Sequence, residues 1–176
     1  AIDNALAEFE TRKEIGRYVD GFIVGSKYTY KETFRILAWD KNPNPQNVGG
    51  YFYSRKTNDL AIFVNYDKSE DISKTTQYHD YFLTPKRFHW TTKNQRSLNS
   101  PEVVALLEQD KTNLRVPLFI RKEAKSEGSA RYYIGELRVI KGSEKTIMIG
   151  GKKAVTMELE LDQAIPDKLY NHLVSV

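Results

Sequence analysis

Apolar positions follow two different periods along the chain, and the change between them divides it into elements. Over the first 20 or so residues Ile2, Leu6 and Phe9 fall on one helical face, with Lys13 continuing the row, and the Gly-bounded "DGFIVGS" follows. The "TYKE" at Thr29 to Glu32 is a capping box, which predicts a helix carrying Tyr30, Phe34, Leu37 and Ala38 on its apolar face. Pro43 and Pro45 are expected to stop it.

From Gly50 the period is two. "GYFYSRK" and "LAIFVNY" flank "TND" and read as a β-hairpin. Ser100 as cap with Pro101 at the first helical position opens a helix over "VVALLEQ". "LRVPLFIRK" then faces "ARYYIGELRVI", "KTIMI" pairs with "AVTMELELD" across "GGKK", and Pro166 begins a last short helix. About seven strands and a few helices, joined mostly by hairpins, predict an α+β domain on a strongly curved mixed or antiparallel sheet, or a barrel, with flanking helices. Residues 67–99 give only a short extended stretch around Phe88 to Thr91. A segment of this length with so many turn residues inside a compact domain points to function.

Composition narrows the chemistry. The 176 residues suit one domain, and no apolar run approaches a bilayer span, so an intracellular, cytoplasmic protein with no membrane partner is expected. The absence of cysteine excludes disulfides and thiolate chemistry, and His79, His89 and His172 lack zinc-enzyme spacing, so no metal or other cofactor is expected. A net charge of +4 permits a polyanionic partner without requiring one. There is no phosphate-binding Gly loop, nucleophile elbow or dinucleotide fingerprint. Asp110 with "EAK" at Glu123 to Lys125 has the form of a nuclease acid and lysine pair, but the motif is short and falls in a hairpin turn, so a solvated turn is the better reading. The chain is read as a binding domain, not an enzyme.

The aromatic distribution carries more weight. Ten of the 21 Phe, Trp and Tyr rings lie between Tyr51 and Trp90. Tyr51 and Tyr53 share one face of their strand while Phe52 takes the other, so both faces are not expected to be core, and a slot that stacks a planar ligand is the functional reading. Lys41, Arg55, Lys68, Arg87, Lys93 and Arg96 are interleaved with these rings and with Gln46 and Asn47, a mixture suited to gripping phosphates and reading base edges.

The blocks "NPNPQNVGGYFY", "IFVNYDKSEDIS", "SLNSPEV", "LRVPLFIRK" and "YYIGEL" resemble the C-terminal domain of phospholipase-D-type nuclease and helicase fusions, the ATP-dependent type IV restriction enzymes of the SauUSI kind. The resemblance spans roughly residues 28 to 174. It implies an SRA/PUA-like target-recognition domain over residues 28–176, preceded by a helix and connector over 1–27. It also implies a double-stranded DNA partner carrying 5-methylcytosine or 5-hydroxymethylcytosine, with nuclease and helicase on other domains of the parent chain.

Such a reader would extrude the base, and stacking at about 1–3 kcal/mol per ring offsets the few kcal/mol that flipping costs. By similarity to "GGY" of SRA-type readers, Gly49 and Gly50 would let backbone approach the base and Tyr51 would stack on it. Tyr66 would be the opposing ring, Asp71 the acceptor for cytosine N4, and Tyr53 and Trp90 further pocket walls. SRA readers carry an acid within a few positions of that tyrosine, and "GGYFYSRK" does not. An interaction or dimerisation module is the alternative, and a homodimer is left open.

Overall fold

The computed structural model describes residues 17–41, 43, 50–66, 80–122 and 128–175. Three two-residue strands, β1 (Tyr18–Val19), β2 (Phe22–Ile23) and β3 (Lys27–Tyr28), precede helix α1 (Tyr30–Ile36). Strands β4 (Tyr51–Ser54), β5 (Asp59–Asn65), β6 (Tyr81–Phe82) and β7 (Arg87–Thr91) follow, then helices α2 (Pro101–Leu107) and α3 (Gln109–Thr112). Strands β8 (Pro117–Arg121), β9 (Arg131–Val139), β10 (Lys145–Ile149) and β11 (Lys152–Leu161) lead to helix α4 (Asp167–Val174).

Most of the strands form one mixed sheet in the order β4-β5-β8-β9-β11-β7-β6, with β10 also on β11 and β3 also on β9. The predicted hairpins β4/β5, β8/β9 and β10/β11 all form, in antiparallel register. The sheet is mixed through the parallel β5/β8 pair, its other pairings being antiparallel, and it does not close into a barrel. The ten residues of β11 join three strands: their N-terminal half pairs with β10, their centre with β7 and their end with β9.

Strand β5 lies between β4 and β8, parallel to β8, and Asp59 to Val64 are all buried because a core packs on each of its faces. Leu60, Ile62 and Val64 enter a large core with Leu118, Ile134, Met157, Trp90 and residues of α2 and α4. Ala61 and Phe63 enter a second core with Phe22, Phe34, Phe119 and Tyr133. The same division corrects the expectation for the β4 hairpin. Tyr51 and Tyr53 pack on the large core and Phe52 on the second, so both faces are covered.

Helix α1 begins as the capping box predicts: the Glu32 amide donates to Thr29 Oγ1 and the Thr29 amide donates to Glu32 Oε1, both at 3.2 Å. It does not end at the prolines. Ala38, at φ +60°, donates to the Arg35 carbonyl, and the Trp39 amide donates back to Phe34 at 3.0 Å, a left-handed C-terminal cap. The Trp39 ring lies 4.7 Å from the Phe34 ring and its Nε1–H donates to buried Asp59 at 2.7 Å, so Trp39 is a core anchor.

Ser100 caps α2 by position only, since its hydroxyl accepts from the Ser97 amide instead of a helix amide. The helix expected at the N-terminus falls almost wholly outside the described residues. Its expected last turn is instead β1 and the turn into β2. Of the expected connector over 1–27, residues 22–24 are buried and β3 pairs with β9.

Candidate nucleic-acid interface

Gly50 sits at φ +84° and its carbonyl accepts from the Phe63 amide at 2.8 Å, which delivers Tyr51 onto the first position of β4. The Tyr51 ring points into the large core and is 6% exposed. Trp90 meets it edge-on at 5.1 Å, and the ammonium of Lys93 stands 5.4 Å from its centroid. The Tyr51 hydroxyl donates to Glu102 Oε1 at 3.2 Å, and the same oxygen pairs with Arg96 Nε at 2.9 Å. Burial, then the Glu102 charge, pushes the Tyr51 phenol well above its ordinary range, while Arg96 opposes the shift. The phenol therefore stays a neutral donor.

This arrangement draws on three segments: β4, the turn after β7, and the first turn of α2. The turn is held by the Thr92 amide on Val155 at 2.9 Å and the Arg96 amide on Lys153 at 3.2 Å. Glu102 is the member that sequence reasoning missed. An acid in the first turn of a helix after Ser-Pro reads as an ordinary solvated favourable charge, and nothing local says that it turns inward.

The other expected site residues distribute as follows. Tyr53 is half-buried and lines an open groove of about 450 Å³ with Arg55 and residues of α2. Tyr66 does not oppose Tyr51 here: it stacks on Phe82 at 5.9 Å and its hydroxyl accepts from the Phe82 amide at 3.2 Å. Trp90 is 1% exposed and supports Tyr51 from the core, offering no open face. Arg96 is committed to Glu102, so it is not a free phosphate contact. Arg87 is exposed with Glu158 4.0 Å away, and Lys41 and Arg55 are exposed. Gly49, Asp71, Gln46, Asn47 and Lys68 lie outside the described residues, as does "EAK". Asp110 is held below the usual carboxylate range by its hydrogen bond and ion pair with Lys141, with Arg138 at 3.6 Å.

Among the described residues no cluster of metal-ligating side chains occurs, and no helix is long and apolar enough to cross a membrane.

Residues 22–173 match the family model described as Domain of unknown function (DUF3427). The chain belongs to that family. No curated protein matches it in sequence.

Solved structures do match this DUF3427 domain in fold. The SUVH5 SRA domain in complex with hemimethylated CG DNA superposes with a TM-score of 0.54 at 17% identity, over 86% of this chain and 95% of that one. The DNA recognition domain of LpnPI, a cytosine modification-dependent restriction endonuclease, gives 0.53 at 10% identity, over 80% and 73%. KRYPTONITE in complex with mCHG DNA and SAH gives 0.51 at 15% identity, over 86% of this chain but 35% of that one. The DUF3427 chain thus corresponds to about a third of KRYPTONITE and to nearly all of the SUVH5 domain, and its fold is SRA-like.

Proposed function

We propose that this chain recognises double-stranded DNA carrying 5-methylcytosine or 5-hydroxymethylcytosine and serves as the target-recognition domain of an ATP-dependent type IV restriction endonuclease. In this reading nuclease and motor reside elsewhere in the parent chain. The observation that carries it is the SRA-like fold with Tyr51 entering β4 directly after Gly50, beneath the ammonium of Lys93. The SUVH5 SRA domain has also been solved with fully hydroxymethylated CG DNA.

Tyr51 is the stacking ring. The Lys93 ammonium stands over it, a contact worth about 0.5–2 kcal/mol. A base stacked on the same ring contributes about 1–3 kcal/mol, so an incoming cytosine can displace the lysine. Lys93 then reaches a phosphate of the extruded nucleotide, where its charge is better used. Glu102, through the Tyr51 hydroxyl, fixes the ring plane while this happens. Arg87, Lys41 and Arg55 grip the backbone, and Gly49, Gln46, Asn47, Lys68 and Asp71 complete the site.

Gel shift with duplexes of one sequence carrying cytosine, 5-methylcytosine or 5-hydroxymethylcytosine tests the reading. Modified duplexes should bind at least about tenfold tighter than unmodified DNA. Equal affinity for all three overturns modified-base recognition, and no binding at low salt overturns DNA binding altogether.

A further inference from the structure

Three neighbouring strands carry polar side chains at one end of a common face. On that face Phe63 of β5, Phe119 of β8 and Tyr133 of β9 form a buried apolar row in the second core. Two residues away from that row, Asn65 closes β5, Arg121 closes β8 and Arg131 opens β9, so the period of two carries all three to the same face. One atom brings them together. Asn65 Oδ1 accepts from Arg121 Nε at 2.6 Å and from Arg131 Nη2 at 3.3 Å.

Arg131 is the deeper of the two arginines, 5% exposed, with its guanidinium 4.7 Å from the Tyr30 ring centroid and 5.6 Å from that of Phe63. Its Nε is buried without a hydrogen-bond partner. Among the described residues neither guanidinium has a carboxylate partner. Arg96 and Arg115 are more exposed than Arg131, yet each is paired with a carboxylate, Glu102 at 2.9 Å and Glu136 at 2.6 Å. A buried charge is ordinarily retained where an opposite charge meets it. Here two cations share one neutral oxygen. Burial, and after it the charge of Arg121, lowers the Arg131 guanidinium to about 10, with Tyr30 acting in the opposite direction.

What the cluster still has to offer is donors. Arg121 uses Nε on Asn65 and Nη1 on the Gly128 carbonyl at 2.6 Å, which leaves Nη2. The Asn65 oxygen is taken by both arginines, which leaves the amide hydrogens of Nδ2 on an exposed side chain. Two positive charges with spare N–H groups suit an anion that presents several oxygens.

We propose that Asn65, Arg121 and Arg131 bind a single phosphate group, with Arg131 as the floor of the site and Arg121 and Asn65 at its mouth. The phosphate supplies the counter-charge. For its source the proposal rests on the DNA-binding reading. The Phe63 amide, two residues before Asn65, donates to the Gly50 carbonyl, so the site shares an end of the sheet with Gly50 and Tyr51 while lying on the face opposite the Tyr51 ring. A phosphodiester of the bound duplex fills it there. A free phosphate monoester carries the same chemistry.

Thermal melts of the wild-type chain in inorganic phosphate, against chloride at equal ionic strength, are the first arm. The midpoint should rise saturably with phosphate. Arg121→Gln, at a half-buried position, should move half-saturation to about tenfold higher phosphate. Arg131→Met keeps an unbranched stem against Tyr30 and Phe63 and should lose the saturable response. General stabilisation by an excluded salt is the same in all three chains. Absence of a saturable rise, or an equal rise in wild type and Arg121→Gln, overturns the proposal. The second arm uses a 5-methylcytosine duplex in which single phosphates are replaced by uncharged methylphosphonate. A replacement that weakens wild type about tenfold but leaves Arg121→Gln unaffected identifies the DNA backbone as the source. Should no replacement do so while the phosphate response holds, the ligand is a free phosphate compound. If methylated DNA is still preferred while the phosphate response fails, this site falls and the modified-base reading stands. If phosphate stabilises and no duplex binds, that reading falls and this site stands.

Discussion

The hydroxyl of Tyr51 donates to Glu102, 51 positions further along the chain, at 3.2 Å, and that carboxylate is in turn paired with Arg96 at 2.9 Å. A ring proposed to stack on a base is thus fastened at its far end to α2. Glu102→Ala leaves both the phenol and the half-buried guanidinium without a partner and should cost about 1–3 kcal/mol in urea unfolding. Tyr51→Phe, which leaves Glu102 on Arg96, should cost about 1 kcal/mol and retain preference for methylated DNA. Tyr51→Leu should abolish that preference in gel shifts. Retention of the preference by Tyr51→Leu moves the pocket elsewhere.

Lys93 and Arg87 should respond differently to substitution. Arg87→Ala removes an exposed cation and is expected to weaken methylated and unmethylated duplexes alike, lowering the slope of log affinity against log salt by about 1. Lys93→Ala uncovers the Tyr51 ring as well as removing a phosphate contact, so it should weaken unmodified DNA more than methylated DNA. Equal losses for the two lysine-variant complexes argue against a covering role.

Ala38 ends α1 at φ +60°, a conformation that costs a side chain about 1 kcal/mol or more and glycine little. The residue is exposed and its side chain contributes no core contact. Ala38→Gly is therefore expected to stabilise the protein by about 0.5–1 kcal/mol, read as a higher denaturation midpoint with unchanged slope.

Burial raises the Asp59 carboxyl above the usual range, with the hydrogen bond from Trp39 and the charge of Arg115 acting in the opposite direction. The folded state thus holds this proton more tightly than the unfolded chain does. That contribution to stability is present below the unfolded value of about 3.9 and is lost as pH rises through the higher folded value. Asp59→Asn cannot lose it. The stability of Asp59→Asn relative to wild type should increase as pH rises from about 4 and then level off. A difference that stays flat with pH contradicts the shift.

Much of the architecture was legible because it is written locally. The Thr29/Glu32 box, the alternation of "GYFYSRK" and "LAIFVNY", and the facing runs of β8 and β9 each lie within a short window, and each forms as read. What went unread depends on partners far along the chain. Phe52 and Tyr51 face opposite ways on one strand, and only the packing of α1 on one side and α2 on the other makes both interior. Glu102 looks like any first-turn acid until β4 is placed beside it. The prolines after α1 were a plausible stop, yet the chain had already reversed at Ala38, a residue with no intrinsic preference for that conformation. The place of Tyr66 at the end of the partner strand suggests a ring opposite Tyr51, whereas the end of β5 leads it to Phe82.

Strand β5 supplies alternate side chains to two interiors, so it is the common wall between them. Neither compartment can loosen without stripping that wall on one side. Amides from Leu60 to Val64 should accordingly be the last to exchange with solvent deuterons, and the whole molecule should melt as one cooperative body.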